Sequence, residues 1–263
     1  MKITVLLENS KCREALTCEH GLSLHLQTGG KNILFDAGQT SAFAENAEKL
    51  GIDLKAVDLA LLSHGHYDHG GGLATFLRIN EKAPVYLQEE AFAPCYDGKA
   101  DYIGLDPELA GNPRLIPVKG ERILGDQMRL LDANDLEKIL PVDAAGLTRK
   151  RGDAYEPDDF RHEQYLLLEE NGKRVCVSGC SHKGILNIVR WFQPDVLIGG
   201  FHFMKLDPEG PGRARLLEAA KALLEGNTVY YTGHCTGDAQ YDLLKQVMGD
   251  RLHRLSTGDT FEI

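Results

Sequence analysis

Long apolar runs are missing from this chain. No stretch approaches the roughly 20 residues that cross a bilayer, which excludes a membrane-spanning helix. Met1–Glu8 turns polar early and lacks a small-residue cleavage site, so no secretory leader is read and the expected compartment is the cytoplasm. Low-complexity tracts are absent, which excludes a disordered or fibrous protein. None of the six cysteines forms a Cys-x-x-Cys pair, and reduced thiols are the expectation for such a chain. Positive charge is also scarce: 29 Lys and Arg face 39 Asp and Glu, a formal charge of −10. That balance argues against nucleic acid as a partner. Against these absences stand ten histidines, the first pointer to metal in so acidic a chain. The 263 residues suffice for one large core, and a single domain over 1–263 is expected.

The coarse pattern alternates strands and helices. Strands are expected at 3–8 and 57–62, and the flanks of Thr28-Gly29-Gly30 read as a hairpin over 21–35. A helix over 41–50 starts at Thr40 or Ser41 and stops at Gly51. The Pro-, Gly- and Asp-rich stretch around 94–160 reads as a loop-rich insertion with short strands that faces substrate. An Asn171-Gly172 turn joins strands 163–169 and 173–178. Helices follow at 183–192, around 214–224 and at 238–248, the last capped by Asp238. Strands at 195–200 and 228–232 lie between them, and a final strand occupies part of 252–263. Strands that end in Gly/His-rich loops with helices between them imply an α/β layered protein.

The run Ser63-His64-Gly65-His66-Tyr67-Asp68-His69-Gly70 carries the most chemistry. Imidazole nitrogen and carboxylate oxygen bind zinc-like cations at about 2.0–2.2 Å. His64 and His66, two apart on a tight loop, can converge on one ion, while Asp68 and His69 face a second about 3.5–4 Å away. The glycines permit the crowding. A polar loop with incidental histidines is the competing reading, and four donors within six residues after a buried strand weigh against it.

On these residues the chain resembles the metallo-β-lactamase superfamily, whose His-x-His-x-Asp-His signature ends a core strand. Asp36-Ala37-Gly38 looks like the short Asp-x-Gly motif of that superfamily, and Tyr231-Thr232-Gly233-His234 like its last motif, which serves the second metal. Ser178-Gly179-Cys180 falls where the superfamily usually has Ser-Gly-Asp, so Cys180 replaces a bridging carboxylate. His162 and His182 compete for the remaining position on the first metal, and the resemblance leaves both open. Glu19-His20-Gly21-Leu22-Ser23, Gly179-Cys180-Ser181-His182, Gly199-Gly200-Phe201-His202 and Gly233-His234-Cys235-Thr236-Gly237 narrow the likeness. They resemble the family that contains the dihydropterin–ribofuranosylaminobenzene 5′-phosphate synthase.

The resemblance implies an αβ/βα sandwich of two mixed sheets with outer helices. It implies metal ligands His64, His66, Asp68, His69, His162, Cys180, His182 and His234, with Asp68 also catalytic, and substrate contacts from Glu19, His20 and His202. One or two divalent ions are expected, zinc first, with iron or manganese as alternatives. The expected activity is hydrolysis of an anionic small molecule, phosphorylated or not, by metal-activated water. A pterin-related synthase in which the metal assists pyrophosphate departure, an iron-dependent oxidoreductase and a metal-bound sensor are the alternatives. Arg149-Lys150-Arg151 reads as a solvated turn or a contact for substrate phosphate.

Overall fold

Two tight turns set the register of the hairpins. In the computed structural model, which describes residues 1–263, Gly29 and Gly30 have φ of 55° and 72°, and Asn171 and Gly172 have 51° and 75°. Positive φ at both central residues is the demand of a two-residue hairpin loop, which glycine and asparagine meet at least cost. The first turn pairs Ser23–Thr28 with Lys31–Phe35, the second Tyr165–Glu170 with Lys173–Val177.

Each hairpin lies inside a seven-stranded mixed sheet. The first sheet runs, edge to edge, Thr260–Glu262, Lys2–Leu7, Ser23–Thr28, Lys31–Phe35, Leu59–Leu61, Val85–Gln88 and Leu115–Val118. Its pairings are antiparallel as far as Lys31–Phe35 and parallel beyond. The second runs Leu252–Arg254, Val229–Thr232, Val196–Ile198, Lys173–Val177, Tyr165–Glu170, Met128–Leu131 and Glu121–Gly125. Here the first four strands are parallel and the remainder antiparallel. The two halves share one plan, which the sequence does not display as a repeat.

Side-chain alternation then builds three apolar layers. Ile3, Val5, Leu24, Leu26, Leu59 and Leu61 meet Leu166, Leu168, Val175, Val177, Val196 and Ile198 between the sheets. Their neighbours Leu34 and Ala60 face outward against Phe43 and Ala47 of helix Ala42–Lys49 and Phe76 of helix Leu73–Ile79. Leu167, Cys176 and Leu197 face outward on the other sheet, against helices Ile185–Phe192, Gly212–Leu223 and Asp238–Met248. Strands buried on both faces read as nearly continuous apolar runs. The result is the αβ/βα sandwich expected.

Several local expectations shift. Residues 115–131, grouped by composition with the insertion, supply strands to both main sheets; only 95–102 and 147–157 form the separate four-stranded sheet. Short exposed strands such as Glu121–Gly125 leave little hydrophobic pattern to read. The strand at 57–62 shortens to Leu59–Leu61, because Leu54–Ala56 forms a 3-10 turn before it. Gly237, not Asp238, is the N-cap of the last helix. The single strand in 252–263 is two strands, one on the edge of each sheet.

Candidate metal centre

Parallel strands deliver their following loops to one rim, the usual place for sites on such sheets. Leu59–Leu61 leads into His64, His66, Asp68 and His69; Lys173–Val177 leads into Cys180 and His182; Val196–Ile198 into His202; Val229–Thr232 into His234. The bends are tight. Asp36, Ser181, His202 and His234 all adopt left-handed backbone, with φ of 59°, 59°, 54° and 48°, a conformation that costs side-chain-bearing residues energy and clusters at functional sites. A Cβ on Gly65 would strike the Ala91 carbonyl, and one on Gly179 the Ser63 hydroxyl; at both positions neighbouring groups approach too closely for any side chain.

Three donor groups result, one of which, His66 with Cys95, Asp158 and His162, lies behind the other two. Of those two, His64, His66 and His182 form one; Asp68, His69, Cys180 and His234 form the other, and all seven are buried. The Nε2 atoms of His64 and His182 lie 3.3 Å apart. His69 Nε2 lies 3.1 Å from both Cys180 Sγ and His234 Nε2. Asp68 Oδ2 is 3.2 Å from His234 Nε2 and 3.3 Å from His20 Nε2. Donors bound to one tetrahedral ion stand roughly 3.3–3.7 Å from one another, so these spacings suit a shared cation.

Hydrogen bonds on the far side assign the tautomers of His64, His69 and His234. His69 Nδ1 donates to Asp36 Oδ2 at 2.6 Å, and Asp36 also accepts from Ser63 N and Ser63 Oγ at 2.7 Å each. Ser63 Oγ, its proton given to Asp36, accepts from His64 Nδ1 at 2.8 Å. His234 Nδ1 donates to Asn9 Oδ1 at 2.9 Å, and Asn9 Nδ2 donates to His20 Nδ1 at 3.3 Å, which turns the His20 Nε2 proton toward Asp68. The Nε2 atoms of His64, His69 and His234 therefore point inward as bare lone pairs. Two acceptors 3.1 Å apart repel unless a cation or a proton lies between them. The donor set fits a metal.

Electrostatics agree for four rings and differ for His69: burial would lower it, but Asp36 and Asp68 outweigh that and raise it, so without a cation a proton competes for its Nε2. Burial holds His64 and His182 well below the usual imidazole range and pushes His66 to about 3 and His234 to about 4, so these rings are neutral, as ligands must be. Burial would raise Asp68, but His69, His20 and His234 outweigh it and keep the carboxylate ionised. Burial, reinforced by Cys235, raises the Cys180 thiol; a bound cation reverses that and favours thiolate.

His162 and His182, the two candidates for the first metal, stand in different donor groups that share His66. His182 faces His64, whereas His162 stands behind His66 with Asp158 and Cys95. His162 Nδ1 accepts from Gly65 N at 3.1 Å and its Nε2 lies 3.1 Å from Asp158 Oδ2. His66 Nε2 is buried without a hydrogen bond, 4.0 Å from the same carboxylate oxygen. Glu19 accepts from Thr40 N and Thr40 Oγ1 at 2.9 and 2.8 Å, which commits it to the turn before helix Ala42–Lys49. His202 packs on His182 with ring centroids 4.3 Å apart. Arg149 is tied to Glu90 and Asp159 at 2.5 and 3.1 Å and Arg151 to Asp159 at 2.8 Å, so this strand's arginines already have their counter-charges.

Sequence reasoning missed the supports. Glu163 accepts from His182 N at 2.7 Å, Lys183 N at 3.0 Å and Tyr165 Oη at 2.5 Å, which fixes the loop that carries His182. Glu8 accepts from the backbone N–H of His234. Asn9, Glu8 and Asp158 carry no local signal; Asn9 and His234 are 225 positions apart.

The family model described as the metallo-beta-lactamase superfamily matches residues 16–182. A relative from Methanocaldococcus jannaschii, named 7,8-dihydropterin-6-methyl-4-(beta-D-ribofuranosyl)-aminobenzene-5'-phosphate synthase, is 28% identical over 91% of this chain and 88% of its own. A crystal structure described as a metal-dependent hydrolase of the beta-lactamase superfamily is 29% identical, covers 100% of this chain and 99% of its own, and superposes with a TM-score of 0.81. The metallo-beta-lactamase fold protein YhfI from Bacillus subtilis covers 100% of this chain and 98% of its own at 15% identity and a TM-score of 0.62, a likeness of fold. No helix is long and apolar enough to cross a membrane.

Proposed function

The chain belongs to the metallo-beta-lactamase superfamily, and on that premise we propose that it is a metal-dependent hydrolase acting on an anionic small molecule. His64, His66 and His182 would hold one divalent ion, and Asp68, His69, His234 and Cys180 a second. The observation that carries this reading is the inward convergence of imidazole lone pairs whose outer nitrogens are already committed to Ser63, Asp36 and Asn9. A divalent cation there supplies Lewis acidity and lowers the pKa of bound water toward ~7. The thiolate of Cys180, a soft donor, favours zinc over manganese or magnesium.

The chain's own groups divide the remaining work. Asp68, ionised and 10% exposed at its side chain, is the group to orient water or accept a proton. Asp36 and Ser63 hold His69 and His64 in the tautomer that leaves Nε2 free. Asn9 does the same for His234 and aims the His20 proton at Asp68. His20 and His202, partly exposed beside the two donor groups, are the residues to meet substrate.

A second reading, synthase chemistry on a pterin-related substrate, takes its support from the named relative that aligns along 91% of the chain. One experiment addresses both. Metal content is measured on protein purified without chelator, and the loaded protein is screened against phosphoesters and lactones. The hydrolase reading expects about two ions per chain and chelator-sensitive turnover of one class. Full metal content without hydrolysis of any compound would overturn it in favour of the synthase reading.

A further inference from the structure

The donor groups open onto two unequal spaces. On the His234 side a hollow of about 180 Å³ is lined by polar groups, among them Glu8, Asn9, Ser10 and Arg254. On the His182 side lies a cavity of about 970 Å³, with His182, His202 and Asp158 in its wall. Leu140, Val142, Leu186, Phe203, Ala219 and Ala222 give it an apolar stretch of wall, with Asp143, Lys205, Arg215 and Glu218 also in the lining. The strap that carries Leu140 has no regular structure, yet it is pinned. Asn187 Oδ1 accepts from Ile139 N and Leu140 N at 3.0 Å each, and Trp191 Nε1 donates to Glu137 O at 2.6 Å. The two cations of the cavity have partners already: Arg215 with Asp143 at 2.9 Å, Lys205 with Asp97 at 3.5 Å. Nothing in that wall offers an unpaired positive charge to an anion.

From this we infer that the substrate is amphiphilic, with its reacting polar head at the metal centre and a largely apolar body, without a second anionic group, in the cavity beside His182. The inference rests on the proposed function and adds the class of substrate. A cavity of this size buries a body well beyond a sugar or a small acid, and its apolar lining rewards burial of apolar surface. The paired arginine and lysine argue against a second anionic end. The strap 137–142 and the exposed turns of helices Ile185–Phe192 and Gly212–Leu223 are then the determinants of specificity.

The test compares 1-naphthyl phosphate with methyl phosphate as ligands of zinc-loaded protein, by calorimetry, with zinc content measured on each sample. The naphthyl ester is expected to bind at least tenfold more tightly. Leu186→Asp and Ala222→Trp, both at partly exposed positions that line the cavity, should each abolish that preference while zinc content and methyl phosphate affinity stay unchanged. Equal affinities in the wild-type protein, a preference that survives both variants, or no binding of either ester by zinc-loaded protein would overturn the inference. Failure to take up zinc at all would instead overturn the reading of the centre on which it rests.

Discussion

Asp36→Asn is the substitution that best isolates the metal reading, because it changes almost no volume and touches no ligand position. The native carboxylate accepts three hydrogen bonds, from Ser63 N, Ser63 Oγ and His69 Nδ1. An amide offers one acceptor oxygen and two donors, so it cannot serve all three. If its nitrogen replaces Oδ2, it presents a donor to the His69 Nδ1 proton; the ring then shifts its proton to Nε2, against Cys180 and His234, each 3.1 Å away. If its nitrogen replaces Oδ1, the buried Ser63 N–H loses its acceptor, at about 1–3 kcal/mol. Either arrangement degrades the ligand set.

Loss of such a supporting carboxylate typically costs 10–100-fold in metal affinity, about 1.4–2.8 kcal/mol. Because metal binds the folded state, the same amount disappears from the stabilisation that saturating zinc provides. At about 2–4 °C per kcal/mol for a chain of this size, the zinc-induced rise in Tm should shrink by roughly 3–11 °C. Competition with a chromophoric chelator gives the affinity, and paired melts with zinc and with chelator give the shift. Zinc affinity within twofold of wild type, in a variant with native circular dichroism, would refute the tautomer argument.

Three further outcomes are expected. His182→Ala should lose about one equivalent of metal, whereas His162→Ala should keep its metal but lose roughly 2–4 kcal/mol of stability by stranding Gly65 N and Asp158; elemental analysis and urea melts separate the two, and the reverse pattern would exchange their roles. Cys180→Asp should retain two ions and move the preference toward manganese, while Cys180→Ala loses an ion; equal zinc and manganese affinities in wild type and Cys180→Asp would contradict a ligating thiolate. Burial, with help from Lys205, pushes His202 down to about 4 from its ordinary 6.5, so between those values the unfolded chain binds more protons and stability rises with pH. His64, His66, His182 and His234 are depressed too and share that slope, so in metal-free protein His202→Gln should reduce it by no more than one proton's worth, as read from urea midpoints at pH 4.5, 5.5 and 6.5; an unchanged slope would mean that His202 does not titrate there.

The legible parts of this molecule are those whose cause is local. Gly29-Gly30 and Asn171-Gly172 announce their hairpins because the turn itself demands φ > 0. His64, His66, Asp68 and His69 announce a metal centre because four donors fall within one bend. What supports them is not local. Asp36 could be found through its motif, but Asn9, Glu8 and Glu163 act on residues delivered by other strands, and polar residues at strand ends are common. Spacing could not separate His162 from His182 either, since both follow or precede core strands at workable distances. Only the fold shows that Gly65 and Asp158 already occupy both nitrogens of His162.

The centre is also the seam between the two halves of the fold. Residues 36–69 come from the first sheet, and 163–234 from the second. Hydrogen bonds cross the seam from Gln164 N to Ser63 O and from Gln164 Nε2 to Leu62 O, at 2.8 Å each, and His69 meets Cys180 and His234 there. Yet the 20 apolar residues that pack between the sheets bury their surface with or without a cation at this rim. The fold's main source of stability is therefore independent of the metal, unlike small domains that unfold without it. The strained loops are in the opposite position. Asp36, Ser181, His202 and His234 hold left-handed conformations at about 1–3 kcal/mol each. Chelation should accordingly loosen these loops and spare the sheets: amides at 63–70, 178–184, 199–204 and 232–237 should exchange faster in metal-free protein, while those of Ser23–Thr28 and Tyr165–Glu170 keep their protection. Uniform loss of protection across the sheets would mean that the metal holds up the fold itself, and the separation argued between core and centre would be wrong.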